Sequence, residues 1–139
     1  MNIKEEIDKW VETTQNDLHC FPSEEHKNIV RNLFYKLSEQ DNFFFHFLEN
    51  KKGLIVYCIT PDFRGILTVQ ELFMYIKPEH RGSIRLFKEL INHIEQFAKE
   101  NGCSSVRIGA NLQYKDEKIL KVLKLLGYQD DAVVKYIGE

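Results

Sequence analysis

The sequence predicts a mixed α/β fold in one domain, residues 1–139, with a central and mostly antiparallel sheet that carries helices on both faces. The first observation behind this prediction is the run Ile66–Ile76, which is almost unbroken in β-branched, aromatic and long apolar residues, as in a strand covered on both sides. The second is a change of apolar period at Leu86, from which an amphipathic helix extends to Gly102. A buried strand followed by a long helix therefore forms the centre of the predicted fold.

Two helices are predicted before the sheet. Asn2 and Glu5 have the spacing of a capping box, and the apolar residues that follow lie on one face of a helix that ends before Pro22. Ser23 is a favourable N-cap for a second helix, which ends before Asp41. Both helices are amphipathic, so each is expected to pack one face against the sheet.

Three strands follow, joined by short turns. Phe43–Leu48 and Leu54–Thr60 predict a hairpin, and Pro61–Gly65 turns the chain into the long strand. Because side chains alternate along a strand, each face of the first strand receives three residues: Phe43, Phe45 and Phe47 on one, and Phe44, His46 and Leu48 on the other. Both faces are apolar. We therefore expect helices to cover one face, and a ligand, a helix or a partner to cover the other.

Three more elements are predicted after the long helix. Ser105–Ala110 indicates a short strand, Lys115–Leu126 an amphipathic helix, and Ala132–Ile137 a last strand. The order of elements favours a mixed sheet, since strands joined through helices can lie parallel.

Composition and charge exclude several classes of protein. The formal net charge is −2, so general DNA binding is not expected. Cys20, Cys58 and Cys103 are far apart and odd in number, which predicts neither a disulfide framework nor a metal site. The first residues are charged where a signal peptide is apolar, and no run reaches membrane-spanning length. We expect a cytoplasmic protein with no metal ion and no membrane contact.

The turn between the long strand and the long helix has the features of an anion site. The first turn of a helix leaves backbone N–H groups without partners and carries partial positive charge. Arg81 and Arg85 flank this turn, and each could add a charge-assisted hydrogen bond to a phosphate. The alternative is an ordinary strand–helix connection with two solvated arginines. Spacing alone leaves both interpretations open.

Four segments in the second half carry a family resemblance. They are Leu72–Gly82 with its Pro, acidic and Arg-Gly sequence, the helix ending Phe97–Gly102, the strand Cys103–Ala110, and the closing Lys121–Tyr128. In this order they resemble the GNAT (N-acetyltransferase) superfamily, whose members bind acetyl-CoA. The resemblance covers roughly residues 43–137. Two further runs are similar to a subset of that superfamily often encoded by phages: Gln70-Glu71-Leu72 and Val133-Val134-Lys135-Tyr136.

The resemblance implies a reaction and a set of site residues. An amine acceptor, which could be a small molecule, a protein or a tRNA, would attack acetyl-CoA directly. Glu71 would act as the general base, since similar proteins carry an acid near this point and an apolar strand favours a raised pKa. The alternative for Glu71 is a strand-edge glutamate paired with a lysine or arginine. The residues implied to bind acetyl-CoA are Met74, Tyr75 and Ile76 for the pantetheine arm, and Arg81, Gly82, Ser83, Ile84 and Arg85 for the diphosphate.

The sequence departs from the superfamily pattern at two places. The family loop reads R/Q-x-x-G-x-G/A, and counting from Arg81 its glycine positions hold Ile84 and Leu86. If the side chains of this segment filled the turn, no groove would remain for a diphosphate. The tyrosine that many members use to protonate the leaving thiolate is replaced by Leu123, and Tyr114 or Tyr75 could take that role.

These departures keep two other functions open. One is a GNAT-fold binding protein with little or no turnover that acts on a macromolecular partner. The other is an unrelated mixed α/β ligand-binding domain. A monomer and a homodimer are both compatible with the sequence, because the aromatic strand Phe43–Leu48 could form a dimer contact.

Overall fold

A computed structural model describes residues 2–18, 23–82, 84–109, 117–129, 135 and 137 of the chain. Within these residues the helices are α1 (Ile3–Leu18), α2 (Glu24–Ser38), α3 (Ile84–Glu100) and α4 (Glu117–Leu125). The strands are β1 (Phe43–Phe47), β2 (Gly53–Pro61), β3 (Leu67–Ile76) and β4 (Ser105–Arg107), in the spatial order β1-β2-β3-β4. β1, β2 and β3 pair antiparallel and β4 pairs parallel to β3, which confirms the predicted mixed sheet.

The local signals for the two N-terminal helices are confirmed. Ser23 caps α2, with its hydroxyl accepting a hydrogen bond from the His26 backbone N–H at 3.2 Å. At the start of α1 the Asn2 side-chain carbonyl accepts from the N–H groups of Lys4 and Glu5, at 3.1 and 3.4 Å.

A β-bulge in β3 decides which side chains face α3. Val56 lies opposite Phe73 and Tyr57 lies opposite Glu71, so Leu72 is an extra residue with no partner of its own in β2. An inserted residue reverses the alternation of side chains beyond it. Phe73 therefore faces α1 and α2, whereas Glu71 shares the α3 face with Tyr57. An uninterrupted strand would have placed Glu71 on the opposite face.

Both faces of the sheet are covered by helices, so a helix rather than a ligand or partner covers the second face of β1. The α3 side is packed by fully or nearly fully buried residues, among them Ile55, Val69, Leu90, Ile91 and Ile94. The α1 and α2 side is packed by Trp10, Leu54, Val56 and Tyr75.

Some predicted boundaries differ from the structure. β4 ends at Arg107 and not at Ala110, because the chain leaves β3 after three paired residues. The predicted last strand, Ala132–Ile137, lies outside the described residues except for Lys135 and Ile137. Among the helices that the structure describes, none has the length and apolarity that a membrane crossing needs.

Candidate functional site

The candidate site is the gap that opens where β3 and β4 separate, which we call the fork. β3 pairs with β4 only over Thr68–Gln70, opposite Ser105–Arg107, and then continues for six residues to Ile76. Over those six residues no described strand pairs with this side of β3. At the fork, this side of β3 therefore has no partner among the strands that the structure describes.

Glu71 is the first residue of β3 beyond the paired segment. Its side chain is buried, and one carboxylate oxygen, Oε2, accepts a hydrogen bond from the Gly109 N–H at 3.2 Å. Burial raises the pKa of Glu71 to about 7, and the bond from Gly109 opposes that rise. The bond therefore links β3 to the segment that follows β4, and we call these two segments the arms of the fork. Gly109 was not predicted as a site residue, because nothing in the sequence indicates which N–H would reach the carboxylate.

The register of β3 shows which backbone groups point into the fork. Lys77 N–H donates to the Lys52 carbonyl at 2.9 Å, so the groups of Lys77 point toward β2. The direction of the backbone N–H and C=O groups alternates along a strand. The backbone groups of Ile76 and Met74 therefore point toward the fork, and those of Tyr75 point toward β2. Of the three residues predicted to pair with a pantetheine arm, two thus present their backbone to the gap.

Arg81 fastens the turn after β3 to helix α1. Its Nε and Nη2 groups donate to the Ile76 carbonyl at 3.3 and 3.0 Å, and Nη2 also donates to the Asp17 carboxylate. Tyr75 donates its hydroxyl proton to the same carboxylate at 2.7 Å. The structure therefore places the Arg81 guanidinium on a carbonyl and a carboxylate. Asp17 was missed by sequence reasoning, since no pattern connects it to a residue 64 positions away.

The remainder of this turn is open. A Cβ atom added at Gly82 would meet no atom within 4 Å, and the Ile84 side chain is half-exposed. Arg85 extends into solvent and pairs with Glu89 at 2.8 Å, whereas Phe87 is buried on the inner face of α3. Consequently none of these described side chains fills the space beside Gly82.

Two predicted residues, Ser83 and Tyr114, lie outside the described residues. Leu123, at the position where many GNAT members carry a tyrosine, is buried in the core beneath α3. The Tyr75 hydroxyl is engaged by Asp17, on the face of the sheet covered by α1.

A second polar cluster lies between the sheet and α3, on the side of Glu71 that faces β2. The rings of His46 in β1 and His93 in α3 stack with their centroids 3.5 Å apart and their planes within 5°. His93 Nε2 also lies 2.8 Å from the Tyr57 hydroxyl, and Tyr57 is the cross-strand neighbour of Glu71. Burial, followed by the proximity of His46, lowers the pKa of His93 to about 4. Burial also lowers the pKa of His46.

A separate cavity lies outside the fork. It has a volume of about 450 Å³ and lies at the C-terminal end of α3, between Glu95, Cys103 and Tyr128. It is far along α3 from the turn at Arg81, and residues 130–134, which follow Gln129 in its lining, lie outside the described residues. The fork combines a buried carboxyl group with outward backbone groups, and chemistry rather than volume identifies it as the candidate site.

No protein-family model matches the chain, and no curated protein does. Solved structures do match over nearly the whole chain. A protein from Pyrococcus furiosus that has been proposed to be an acetyl transferase is 23% identical, with a TM-score of 0.74 over 97% of this chain and 93% of its own. A transcriptional regulator from Bacillus halodurans C-125 is 14% identical, with a TM-score of 0.76 over 97% of this chain and 94% of its own.

A third similar structure contains a ligand. It is AAC(6')-Iy in complex with the bisubstrate analog CoA-S-monomethyl-acetylneamine, 16% identical with a TM-score of 0.68, over 98% of this chain and 93% of its own. At these identities the likeness concerns the fold. The chain has the mixed α/β fold found in acetyltransferase structures, as the sequence predicts.

Proposed function

We propose that the chain is an acetyl-CoA-dependent N-acetyltransferase that moves an acetyl group to an amine acceptor. The observation that carries the proposal is the Glu71 carboxyl group, which is buried where β3 and β4 separate and has a pKa of about 7. A carboxyl group with that pKa is partly ionised at neutral pH, so it can accept a proton there. The shared fold with acetyltransferase structures supports the same conclusion.

In this proposal the pantetheine arm of acetyl-CoA lies in the fork. Its amide groups pair with the outward backbone of Met74 and Ile76, as an added strand would. The Ile76 carbonyl already accepts from Arg81, so its N–H is the group available on that residue. Tyr75 contributes through its side chain, which with Asp17 and Arg81 fixes the end of β3.

The diphosphate of the cofactor lies at the turn that begins α3. Gly82 leaves room for close approach, the N–H groups of Ile84 and Arg85 at the start of α3 supply donors, and the exposed Arg85 side chain supplies positive charge. Ser83 lies between Gly82 and Ile84 in the sequence, so it stays a proposed contact of the diphosphate. Arg81 acts as a positioning residue here, because its guanidinium holds the Ile76 carbonyl and Asp17.

Glu71 acts as the general base for the acceptor. The amine nitrogen attacks the thioester carbonyl carbon, the C–S bond breaks, and the amine proton passes to the Glu71 carboxylate, directly or through water. Presenting a lysine-like amine in neutral form at pH 7 costs roughly 4–5 kcal/mol, and a buried base lowers that cost. Tyr114 stays a prediction for the acid that protonates the thiolate.

A binding protein without turnover is the second candidate. Ile84 and Leu86 at the family's glycine positions favour it, as does the burial of Leu123 where a catalytic tyrosine is common. The same fold in a transcriptional regulator shows that the fold is not restricted to proteins described as transferases.

Two measurements on the full chain separate these candidates. Acetyl-CoA is titrated against the protein by calorimetry, and thiol release from acetyl-CoA is followed with a panel of small amines, lysine peptides and tRNA. Saturable binding and acceptor-dependent thiol release support the transferase. Saturable binding without release from any acceptor supports the binding protein. An absence of binding at millimolar acetyl-CoA contradicts the transferase, and the binding protein is then tested by capture of a macromolecular partner.

A further inference from the structure

In the part of the sheet that the structure describes, β1 is an edge strand. It pairs with β2 on one side, and the backbone hydrogen bonds of the described residues supply no partner strand on the other. Leu48 N–H donates to the Gly53 carbonyl and Ile59 N–H donates to the Asn42 carbonyl, so even-numbered residues point toward β2. The backbone groups of Phe43, Phe45 and Phe47 therefore point outward.

The side chains of β1 are already engaged on both faces of the sheet. Phe45 contacts Phe34 of α2 with ring centroids 6.2 Å apart, and Phe44 contacts Phe97 of α3 at 4.7 Å. All five residues of β1 nevertheless remain half-exposed, whereas the first five residues of its neighbour β2 are buried. The difference lies along the outer edge, because the helices cover the two faces.

The β1 strand lacks the sequence features that prevent edge strands from pairing with one another. β1 reads Phe-Phe-Phe-His-Phe, with no lysine, no proline and no bulge in its register with β2. Lysines come only beyond the strand, at Lys51 and Lys52. An apolar, regular and uncharged edge of this kind is a template for another strand.

We propose that the β1 edge binds the β1 edge of a second copy of this chain, giving a two-fold symmetric dimer with a continuous sheet. An antiparallel pair centred on Phe45 is self-complementary. Phe45 would lie opposite Phe45 of the second copy, and Phe43 opposite Phe47. The N–H groups of Phe45 and Phe47 would then donate to the second copy's Phe45 and Phe43 carbonyls, and the reverse pair of bonds would follow by symmetry.

The side-chain pairs that result also favour a second copy as the partner. On the α1 and α2 face every cross-strand pair joins two phenylalanines, and on the α3 face Phe44 lies opposite His46. The paired segment contains no like-charged side chains, since neither copy contributes a formal charge while His46 is neutral. Both copies use the same edge in this two-fold arrangement, so the pairing closes at two copies. This inference is independent of the proposed transferase activity.

Amide hydrogen exchange on the wild-type protein tests the geometry without any substitution. At low concentration the amides of Phe45 and Phe47 should exchange rapidly, and those of Phe44 and His46 slowly, because the latter bond to β2. At high concentration exchange at Phe45 and Phe47 should slow by at least roughly tenfold while sedimentation reports a doubled mass. A monomer at all concentrations, or protection of these amides that does not depend on concentration, would overturn the proposal.

Matched substitutions test the same edge. Phe43→Lys places a charge on the outer edge, and Phe63→Lys places the same charge on an aromatic residue exposed at the tip of the β2–β3 hairpin. The first should weaken dimerisation at least tenfold while the second leaves it unchanged, with thermal unfolding showing that both variants are folded. Equal effects of the two substitutions, or a dimer in which Phe45 and Phe47 amides still exchange rapidly, would contradict the proposed contact.

Discussion

The two edges of β3 differ in how much of the strand is paired. Toward β2 the strand pairs along its whole length with one bulge, and beyond β2 the rings of Tyr57, His93 and His46 fill the space beneath α3. Toward β4 it pairs for three residues and then stops, which leaves a buried carboxyl group at Glu71. The same sheet thus holds a packed polar cluster on one side and a gap on the other.

In the proposed function, the unpaired side of β3 is the one that binds the ligand. A ladder that ends early leaves backbone donors and acceptors without a partner strand, and the polar side chain that follows the last pair is desolvated by the core beside it. The titrating groups on the two sides also respond oppositely to pH. Glu71 has a raised pKa and His93 a lowered one, both chiefly because burial disfavours the charged form.

The largest effect is expected for Glu71→Gln on acetyl transfer. Loss of a general base lowers the rate by about 10² to 10⁴-fold, while the affinity for acetyl-CoA stays within a few-fold of the wild type. The wild-type rate should fall as pH drops below about 7, and the variant should lack that dependence. Glu25→Gln, on the exposed surface of α2, is the control. An unchanged pH–rate profile in Glu71→Gln would remove Glu71 from the chemistry.

The same substitution is expected to stabilise the fold at high pH. The pKa of Glu71 is raised from 4.5 to about 7 in the folded chain, so folding binds a proton in that window and stability falls as pH rises through it. Glu71→Gln should therefore gain up to roughly 3 kcal/mol relative to the wild type at pH 8, and little at pH 4. Urea unfolding at both pH values measures this, and equal differences at the two would show that Glu71 titrates normally.

A smaller effect is expected from the arm of the fork that carries Gly109. Gly109→Pro removes the N–H that donates to Glu71, so the pKa of Glu71 and the acid limb of the pH–rate profile should move upward. Gly109→Ala keeps that N–H and places a Cβ 3.6 Å from Glu71 Oε2, an ordinary contact, so it serves as the control. If both variants had the same acid limb, the hydrogen bond would not set the pKa.

Arg81→Lys should loosen the end of β3 on the open side. A lysine cannot hold the Ile76 carbonyl and the Asp17 carboxylate with the geometry of a guanidinium. We expect the affinity for acetyl-CoA to weaken about tenfold, which corresponds to about 1.4 kcal/mol, with a smaller change in kcat. Arg85→Lys retains an exposed charge and is the control. A larger loss in Arg85→Lys would assign the main role to Arg85.

The last prediction concerns the side of β3 that pairs with β2. The pKa of His93 is lowered to about 4, so the unfolded chain binds a proton more readily and stability falls as pH drops from about 6.5 toward 4. His93→Phe keeps an aromatic ring against His46 and removes this titration, so it should flatten that part of the profile. An acid profile identical to that of the wild type would show that the stacked pair does not contribute to it.

Much of the fold could be predicted from local patterns. The helix cap at Ser23 and the two faces of β1 follow from residue type and period alone. The bulge at Leu72 could not be predicted, because an extra residue is recognised only against the partner strand. Without the bulge, Glu71 would be expected on the wrong face of the sheet even though its position in the chain was identified.

The candidate site could be predicted only in part, because several of its residues come together through contacts between distant elements. Glu71 and the backbone of β3 lie in one segment, whereas Asp17, Gly109 and His93 reach it through contacts between distant elements. Arg81 was predicted to bind phosphate because of its place in the turn. In the structure its side chain is held by Asp17, and no local sequence pattern indicates that contact. Long-range partners of this kind depend on packing, and packing is decided by the whole chain.

The central claim is that acetyl-CoA lies in the fork between β3 and β4. Backbone amide chemical shifts recorded during an acetyl-CoA titration test it most directly. The account predicts saturable shifts at Met74, Ile76 and Gly109, and little change at Phe63 on the distant hairpin tip. Shifts confined to the cavity near Tyr128, or no saturable shift at millimolar acetyl-CoA, would contradict it.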